Sequence, residues 1–169
     1  MINQIRGTLI SAVSAAGLTL LDQAIKCGIR TLPEGSVLLH IPLLVEITHY
    51  TNTGAAFSIL SGHTMLLTVL SLVLLAGVLI FVRSAFCLSP WAKGCLVCML
   101  AGGFGNLIDR VMLGGVTDYI RLLFIDFPVF NLADILITGS VFMLMLLLLA
   151  GRLEMTEDSS GGNYHGSDH

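Results

Sequence analysis

Charged residues are scarce in this sequence. Asp, Glu, Lys and Arg together make up 11% of its 169 residues, whereas about 25% is usual in a soluble domain. Hydrophobic residues reach 55%, and the mean hydropathy is +0.90. The scarcity of charge excludes an ordinary water-soluble domain and places the chain in a lipid bilayer.

Clusters of basic residues are also lacking. The eight Lys and Arg residues are scattered singly, and the formal net charge is −3. A protein that binds nucleic acid neutralises its phosphates with a basic patch or stripe. We therefore expect no nucleic-acid partner.

Cysteine is sparse, and its four residues do not form a spaced disulfide framework. Cys27, Cys87, Cys95 and Cys98 lie in or beside apolar runs, unlike the pattern of a small secreted domain. Cys95 and Cys98 form a C-x-x-C, but no second pair and no neighbouring His accompany it. We interpret them as small apolar packing residues with free thiols; redox or zinc chemistry is the alternative.

Apolar residues are gathered into four runs close to the length of about 20 residues that crosses a bilayer. The runs cover residues 8–29, 59–82, 92–108 and 130–150. A cleaved signal peptide is the alternative for the first run, but that run is long, contains Asp22 and Lys26, and lacks a convincing cleavage site. The pattern predicts an all-α membrane protein with four transmembrane helices in a single domain, residues 1–153.

The segments between and after these runs are more polar. Residues 31–58 contain Pro33, Pro42 and several β-branched residues, which predict a small β-rich element outside the membrane. Residues 109–129 mix charged and apolar side chains, which predicts an amphipathic segment at the interface. Residues 154–169 are polar, small and acidic, so we expect a disordered tail.

The positions of Lys and Arg predict the orientation in the membrane. Arg83 and Lys93 flank the short link between the second and third runs, and Arg6 and Arg152 flank the outer ends of the first and fourth. The excess is small, because three arginines fall on the other side. Both termini are expected to be cytoplasmic.

Ionisable residues within an apolar run are costly, so each is expected to have a partner or a purpose. Asp22 and Lys26 stand four residues apart, on one face of a helix, where each can neutralise the other. This pattern leaves two interpretations open. The two residues form a structural ion pair, or the pair also supports a neighbouring site.

Two further aspartates could form a catalytic pair. Asp134 lies four residues into the last run and Asp118 in the preceding interfacial segment, and a turn near Pro128 would bring both to one membrane face. Two close carboxylates in a low-dielectric environment can hold one shared proton near neutral pH. The ionised member could then activate water while the protonated one hydrogen-bonds a scissile carbonyl. The alternatives are helix capping or an ion pair, since Asp118 could simply pair with Arg121 or Arg110.

Other catalytic schemes fit the sequence less well. Ser61 and His63 lack a G-x-S-x-G elbow, and His165 and His169 lie in the polar tail. Residues 102–105 (GGFG) are not followed by the Lys and Ser or Thr of a phosphate loop. Their glycines are expected to let helices, or a substrate backbone, approach closely.

Five blocks, in this order, resemble the signature blocks of lipoprotein signal peptidases. They are Asp22-Gln23 with Lys26, residues 52–57 (NTGAAF), residues 102–110 (GGFGNLIDR), residues 116–120 (VTDYI) and residues 130–134 (FNLAD). The blocks extend from about residue 20 to residue 140 among the four apolar runs. Chance agreement of five ordered blocks is negligible, so the resemblance is highly specific.

The resemblance implies an aspartic endopeptidase without metal or cofactor, whose catalytic pair is Asp118 and Asp134. Residues implied to support the site or bind substrate are Asp22, Lys26, Asn52, Gly54, Gly102, Gly105, Asn106, Arg110, Val116, Asn131 and Ala133. The implied substrates are bacterial prolipoproteins whose cysteine carries a diacylglyceryl thioether, cut just before that cysteine, and the implied inhibitor is globomycin.

The resemblance also implies a location and an architecture. The active site would face the outer side of the bacterial cytoplasmic (inner) membrane, in contact with membrane lipid. Residues 31–58 would form a small extracytoplasmic β-cradle, and residues 109–129 an interfacial helix or loop over the active site. Ile25, Thr117 and Ile135 depart from the usual family pattern, which bears on substrate preference rather than on the chemistry.

Two other function classes remain as alternatives at this stage. A small transporter or channel subunit could use Asp22, Lys26 and Asp134 as an ion path, and an inverted repeat would favour it, but none is visible. A non-catalytic binding or assembly protein could have kept the fold. The intact Asp118 and Asp134 argue against that second alternative.

Overall fold

The computed structural model describes residues 2–54, 62–84 and 88–153. In chain order these contain α1 (Ile2–Arg30), β1 (Val37–Ile41), β2 (Val45–Asn52), α2 (Thr64–Ser84), α3 (Pro90–Leu113), β3 (Val116–Leu122) and α4 (Leu132–Leu149). Each of the four helices includes a stretch long and apolar enough to cross a membrane. The predicted fold class, four transmembrane helices with a small β element, is confirmed.

Some predicted features lie outside the described residues. They are the polar tail at 154–169, the end of the second signature block at 55–57, Ser61 and Cys87. The other cysteines, Cys27, Cys95 and Cys98, are free thiols.

Helix α3 is the centre of the bundle and packs against each of the other three helices. Three of its glycines lie at these contacts. A Cβ at Gly102 would collide with the backbone of Ala133 in α4, one at Gly103 with Leu75 in α2, and one at Gly105 with the Asp22 carboxylate in α1. The small residues therefore allow the helix backbones to approach closely.

Local sequence signals fix both ends of α3. Ser89 is the N-cap, and its hydroxyl oxygen accepts a hydrogen bond from the Ala92 N–H at 3.3 Å. Pro90 occupies the first turn, where a missing N–H costs nothing. At the other end Gly114 adopts a left-handed conformation with φ 74°, which ends the helix. The chain then turns directly into β3.

The three strands form one antiparallel sheet in the order β1-β2-β3. In the pairing of β2 with β3, Asn52 lies opposite Val116 and Tyr50 opposite Asp118. The prediction of a helix or loop for residues 109–129 is therefore wrong at its centre, which is a strand. An amphipathic pattern of seven residues fits several conformations, and here the free edge of β2 decides by supplying hydrogen-bond partners.

Candidate active site

Asp118 lies in β3 with both carboxylate oxygens hydrogen-bonded and 2% of its surface exposed. Asn52, at the end of the neighbouring strand β2, donates from Nδ2 to Asp118 Oδ2 at 2.9 Å. Asn131 donates from Nδ2 to Asp118 Oδ1 at 2.6 Å. The pairing of the two strands brings Asn52 to this carboxylate, although 66 residues separate them in sequence.

Asp134 lies in the first turn of α4, where an N-terminal capping box holds it. The Asn131 side chain accepts from the Asp134 N–H at 3.0 Å, and Asp134 Oδ2 accepts from the Asn131 N–H at 3.2 Å. From α3, Asn106 donates from Nδ2 to Asp134 Oδ1 at 2.7 Å. The carboxylate therefore lies at the positive end of the helix dipole and is bonded on both oxygens.

Asn131 connects the two aspartates. Its side chain donates to Asp118, and its backbone N–H donates to Asp134. A second bond from its Nδ2 reaches Asn106 Oδ1 at 3.2 Å. Because Asn131 is fully buried, its position is fixed by packing, and through it the positions of both carboxylates.

The ion pair of Asp22 and Lys26 lies directly behind these residues. Lys26 Nζ is 2.9 Å from Asp22 Oδ2, and both residues are fully buried. Lys26 also donates to Asn106 Oδ1 at 2.9 Å, and Asp22 Oδ1 accepts from the Ala133 N–H at 3.1 Å. The structural ion pair is therefore present, and through Lys26 it contacts Asn106, which bonds Asp134. That the pair supports the site stays a prediction.

Asp109 is a buried acidic residue that the sequence analysis did not single out. Its carboxylate is 3.3 Å from Lys26 Nζ and 3.1 Å from Arg30 Nη1, and it accepts from Gln23 Nε2 at 2.9 Å. It also accepts from the backbone N–H of Thr117 at 3.0 Å, which fixes the residue before Asp118. The feature of the sequence that could have identified Asp109 is its charge directly after the third apolar run.

Burial, and to a smaller extent the nearby Asp134 carboxylate, raises the pKa of Asp118 to about 7. The hydrogen bonds from Asn52 and Asn131 and the charge of Lys26 act in the opposite direction. The ionised form of Asp118 is disfavoured because a buried charge loses its hydration. At neutral pH the Asp118 carboxyl group is therefore poised between its neutral and ionised forms.

A cavity of about 460 Å³ contains both aspartates in its wall. Of the predicted site residues, those that line it are Asn52, Gly54, Asn106, Arg110, Val116, Asp118 and Asp134. Its remaining lining residues are Phe127, Pro128, Val129, Phe130, Ile135, Thr138 and Gly139. Three of these had a signal in the sequence: Pro128 as the expected turn, Phe130 in the last signature block, and Ile135 as a departure from the family pattern. The other four carried no functional signal.

The other predicted site residues do not line the cavity. They are Asp22, Lys26, Gly102, Gly105, Asn131 and Ala133, and they lie behind it as packing or hydrogen-bonding partners. Arg110 has its Nη1 3.5 Å from the Asn106 carbonyl oxygen. The alternative partner Arg121 is instead 3.7 Å from Glu46, so Asp118 is not paired with it.

Comparisons with known proteins agree with this arrangement. The model of the signal peptidase II family matches residues 14–150. A lipoprotein signal peptidase of Streptococcus pneumoniae is 40% identical over 141 residues, which cover 83% of this chain and 92% of that protein. A lipoprotein signal peptidase of Streptococcus thermophilus is 36% identical, and the alignment covers 80% of this chain and 90% of that protein.

Solved structures of bacterial membrane enzymes share the fold. One, determined by the in meso method at 2.3 Å resolution, superposes with a TM-score of 0.78 at 29% identity and covers 94% of both chains. Another, at 1.9 Å resolution, gives a TM-score of 0.74 at 31% identity over 83% of this chain and 92% of that one. The match of the family model, the identity to the relatives and the shared fold together show that this chain belongs to the signal peptidase II family of membrane proteases.

Proposed function

We propose that this protein is an endopeptidase that removes the signal peptide from diacylglyceryl-modified bacterial prolipoproteins, cutting just before the lipidated cysteine. Membership of the signal peptidase II family supports the substrate class, since the relatives carry the name lipoprotein signal peptidase. The observation that carries the mechanism is a pair of aspartates, the buried Asp118 and the half-buried Asp134, in the wall of one cavity and bonded to the same asparagine.

In this proposal the two carboxyl groups have different roles in the reaction. Asp118 holds the shared proton and donates it in a hydrogen bond to the scissile carbonyl oxygen. Asp134 is ionised and takes a proton from a water molecule, whose oxygen forms a bond to the carbonyl carbon. When the tetrahedral intermediate collapses, the C–N bond breaks and Asp134 passes its proton to the amine of the cysteine. Asp118 recovers its own proton, so the pair is ready for another cycle.

The raised pKa of Asp118 supports this division. A carboxyl group that remains neutral near pH 7 can donate a hydrogen bond to a carbonyl, which an ionised one cannot. Asn52 and Asn131 hold Asp118, and Asn106 holds Asp134, so the reacting groups need little reorganisation when substrate arrives.

The mixed lining of the cavity suits a lipid-modified peptide. Its polar residues, Asp118, Asp134, Asn52 and Asn106, lie where the peptide bond would react, and the segment 127–130 supplies apolar surface beside them. A diacylated substrate partitions into the bilayer and would enter sideways between the helices. We expect globomycin to compete with substrate for this cavity.

The proposed setting is the bacterial inner membrane, with the sheet and both aspartates on the extracytoplasmic side and both termini in the cytoplasm. We also propose that residues 1–153 act as one peptidase domain and that residues 154–169 are a tail without a part in the chemistry. The link between α2 and α3, flanked by Arg83 and Lys93, would then be cytoplasmic.

A cleavage assay tests the function and the roles of the aspartates together. The purified chain in lipid vesicles should release the signal peptide from a diacylglyceryl prolipoprotein and leave the unlipidated precursor intact. Asp118→Asn and Asp134→Asn should each reduce kcat by about a thousandfold or more, because either change disables the same unit. For that reason the kcat of the double variant should be only slightly lower than that of either single variant.

Asp126→Asn is the matched control, because Asp126 is an exposed aspartate between β3 and α4 that does not line the cavity. Its activity should stay within about twofold of the parent. Binding of the lipidated substrate should largely survive in the Asp118 and Asp134 variants, since apolar contacts supply most of the affinity. A folded Asp118→Asn or Asp134→Asn protein that cleaves at the parental rate would refute the aspartic mechanism.

A further inference from the structure

Asp109, near the end of α3, connects two cations of α1 to the start of β3. Its side chain is 1% exposed and does not line the cavity. Oδ1 is 3.1 Å from Arg30 Nη1. Oδ2 accepts from the backbone N–H of Thr117 at 3.0 Å and lies 3.3 Å from Lys26 Nζ. Asp109 therefore contacts the residue directly before Asp118 without contacting the cavity itself.

The ionic groups behind the cavity balance in charge. Lys26 lies between the carboxylates of Asp22 and Asp109, and Arg30 contacts Asp109, so two cations face two carboxylates. Both members of the Asp22–Lys26 pair are fully buried. A charge without an opposite partner acts strongly on its neighbours at such depth, because little water screens it. Removing Asp109 or Arg30 would leave one uncompensated charge in this layer.

Charges act on Asp118 from each of the elements packed around it. In the part of the chain that the structure describes, the groups with this effect are Asp134 on α4, Lys26 on α1, Arg110 on α3 and the Tyr119 hydroxyl of β3 itself. The contact from β2 is the neutral amide of Asn52. Because the charge of Lys26 favours ionised Asp118, a carboxylate that offsets Lys26 favours the neutral form.

From these contacts we propose that Asp109 is a positioning residue for the pair Asp118 and Asp134. Its carboxylate holds the start of β3 against the two cations of α1, and its charge leaves no net charge behind the pair. The inference rests on the proposed function, because the pair on which Asp109 acts is the proposed catalytic pair. Asp109 acts through Thr117 and Lys26 and not on the substrate.

The pH profile of cleavage measures the charge behind the pair. Asp109→Asn keeps a side-chain oxygen that can accept from the Thr117 N–H but removes the negative charge. The two cations then favour ionised carboxylates, so the whole profile of kcat/KM should move about one pH unit lower. At pH 8 its kcat/KM should be about tenfold below the parent, and its maximum, reached at lower pH, within about fivefold. A purely structural defect would lower the rate at every pH and leave the midpoint unchanged.

Arg30→Gln removes a cation from the same layer and should move the profile to higher pH. The shift should be about half a pH unit, because 26% of the Arg30 side chain is exposed and solvent screens its charge. The double variant of Asp109→Asn and Arg30→Gln restores the charge balance. Its midpoint should lie between those of the two single variants. Opposite shifts that offset each other follow from charge and not from lost packing.

Arg121→Gln is the matched control for Arg30→Gln. Arg121 lies in β3 three residues after Asp118, is 57% exposed and is 3.7 Å from Glu46. Its removal should leave the midpoint of the profile where it is in the parent. An unmoved midpoint in a cleaving Asp109→Asn protein would overturn the proposal. If Asp109→Asn does not fold, Arg30→Gln decides, because a parental midpoint in that variant would overturn the proposal as well.

Titration without cleavage separates this inference from the proposed function. Infrared difference spectra of the protein in lipid vesicles follow the C=O stretch of the protonated carboxyl, and Asp118→Asn assigns the band. The midpoint of this band should move to lower pH in Asp109→Asn. A moved midpoint in a protein whose parent does not cleave would refute the proposed function and support the role of Asp109. Cleavage by the parent with an unmoved midpoint would do the reverse.

Discussion

At the residue scale, the site depends on asparagines that bond through both the oxygen and the nitrogen of the side-chain amide. Asn131 accepts one bond at Oδ1 and donates two from Nδ2, and Asn106 accepts from Lys26 and donates to Asp134. An asparagine can support a carboxylate without adding charge, whereas a third carboxylate would repel the other two. The buried ionic groups lie one layer further back, where Lys26 and Arg30 offset Asp22 and Asp109.

The pKa of Asp118 predicts how activity depends on pH. A carboxyl whose pKa is raised to about 7 is neutral below that pH and ionised above it. The singly protonated pair is therefore lost as pH rises, and kcat/KM should fall about tenfold per pH unit above about pH 7. The midpoint belongs to the coupled pair of Asp118 and Asp134. Rates measured from pH 6 to pH 9 check this, and a profile flat to pH 9 would contradict it.

The C-x-x-C of α3 should be dispensable for catalysis. Cys95 and Cys98 are partly buried free thiols, and Cys98 lies eight residues before Asn106, about 12 Å away along the helix axis. Replacing both by Ala should leave cleavage within a few-fold of the parent, because only packing is altered. Complete loss of cleavage in a folded double variant would instead indicate a redox or metal role.

At the element scale, the close contact of α3 with α4 determines where Asp134 lies relative to Asn106. This contact depends on Gly102, which faces the backbone of Ala133 and the side chain of Ile137. The sheet determines where Asp118 lies relative to Asn52, since the pairing of β2 with β3 brings Asn52 to the Asp118 carboxylate. Each aspartate is thus held by a different tertiary contact, and Asn131 joins the two.

Gly102→Ala should separate α3 from α4. The added methyl group would collide with backbone atoms that cannot rotate away, so we expect a loss of about 1–3 kcal/mol in stability and a lower cleavage rate. Gly94→Ala is the matched control in the same helix, because its Cβ meets no atom within 4 Å. It should match or slightly exceed the parent, since Ala favours helix. Thermal unfolding in detergent compares the two, and equal Tm values would contradict the packing role of Gly102.

At the scale of the whole molecule, the four candidate spans among the described residues would place the start of α1 and the end of α4 on one side of the membrane, as proposed. The sheet and the cavity then lie at one end of the bundle, because β2 follows α1 and β3 follows α3. The proposed lipid-modified substrate could then reach the site without leaving the membrane. The exposed apolar side chains of the helices, such as Leu74 and Phe142, suit contact with lipid.

Reporter fusions test the proposed orientation. A reporter fused after Arg152, just beyond α4, should be active only in the cytoplasm, and one inserted at Gly35, in the exposed turn between α1 and β1, only outside. An enzyme that requires export, such as alkaline phosphatase, and one that requires the cytoplasm give opposite readouts. The reverse pattern would move the aspartates to the cytoplasmic side and exclude the proposed site of cleavage.

The sequence by itself determined the environment, the number of spans and the family. Unpaired charges are costly in a bilayer, so spanning segments contain few of them. Scarce charge and long apolar runs therefore indicate a bilayer whatever the tertiary structure. The strands β1 and β2 were also predictable, since proline and β-branched residues act locally. The ordered blocks identified Asp118 and Asp134 as candidates before their positions in space were known.

Only the tertiary structure decided how these pieces meet. Strand β3 forms because β2 offers a free edge, and Asp109 acquires its role from Gln23, Lys26 and Arg30 of another helix. Each depends on contacts between residues distant in sequence, and a local pattern carries no information about which surface a side chain will face. Gly94 and Gly102 are the same residue type in one apolar helix, yet an added Cβ would meet nothing at Gly94 and would collide with the backbone of α4 at Gly102.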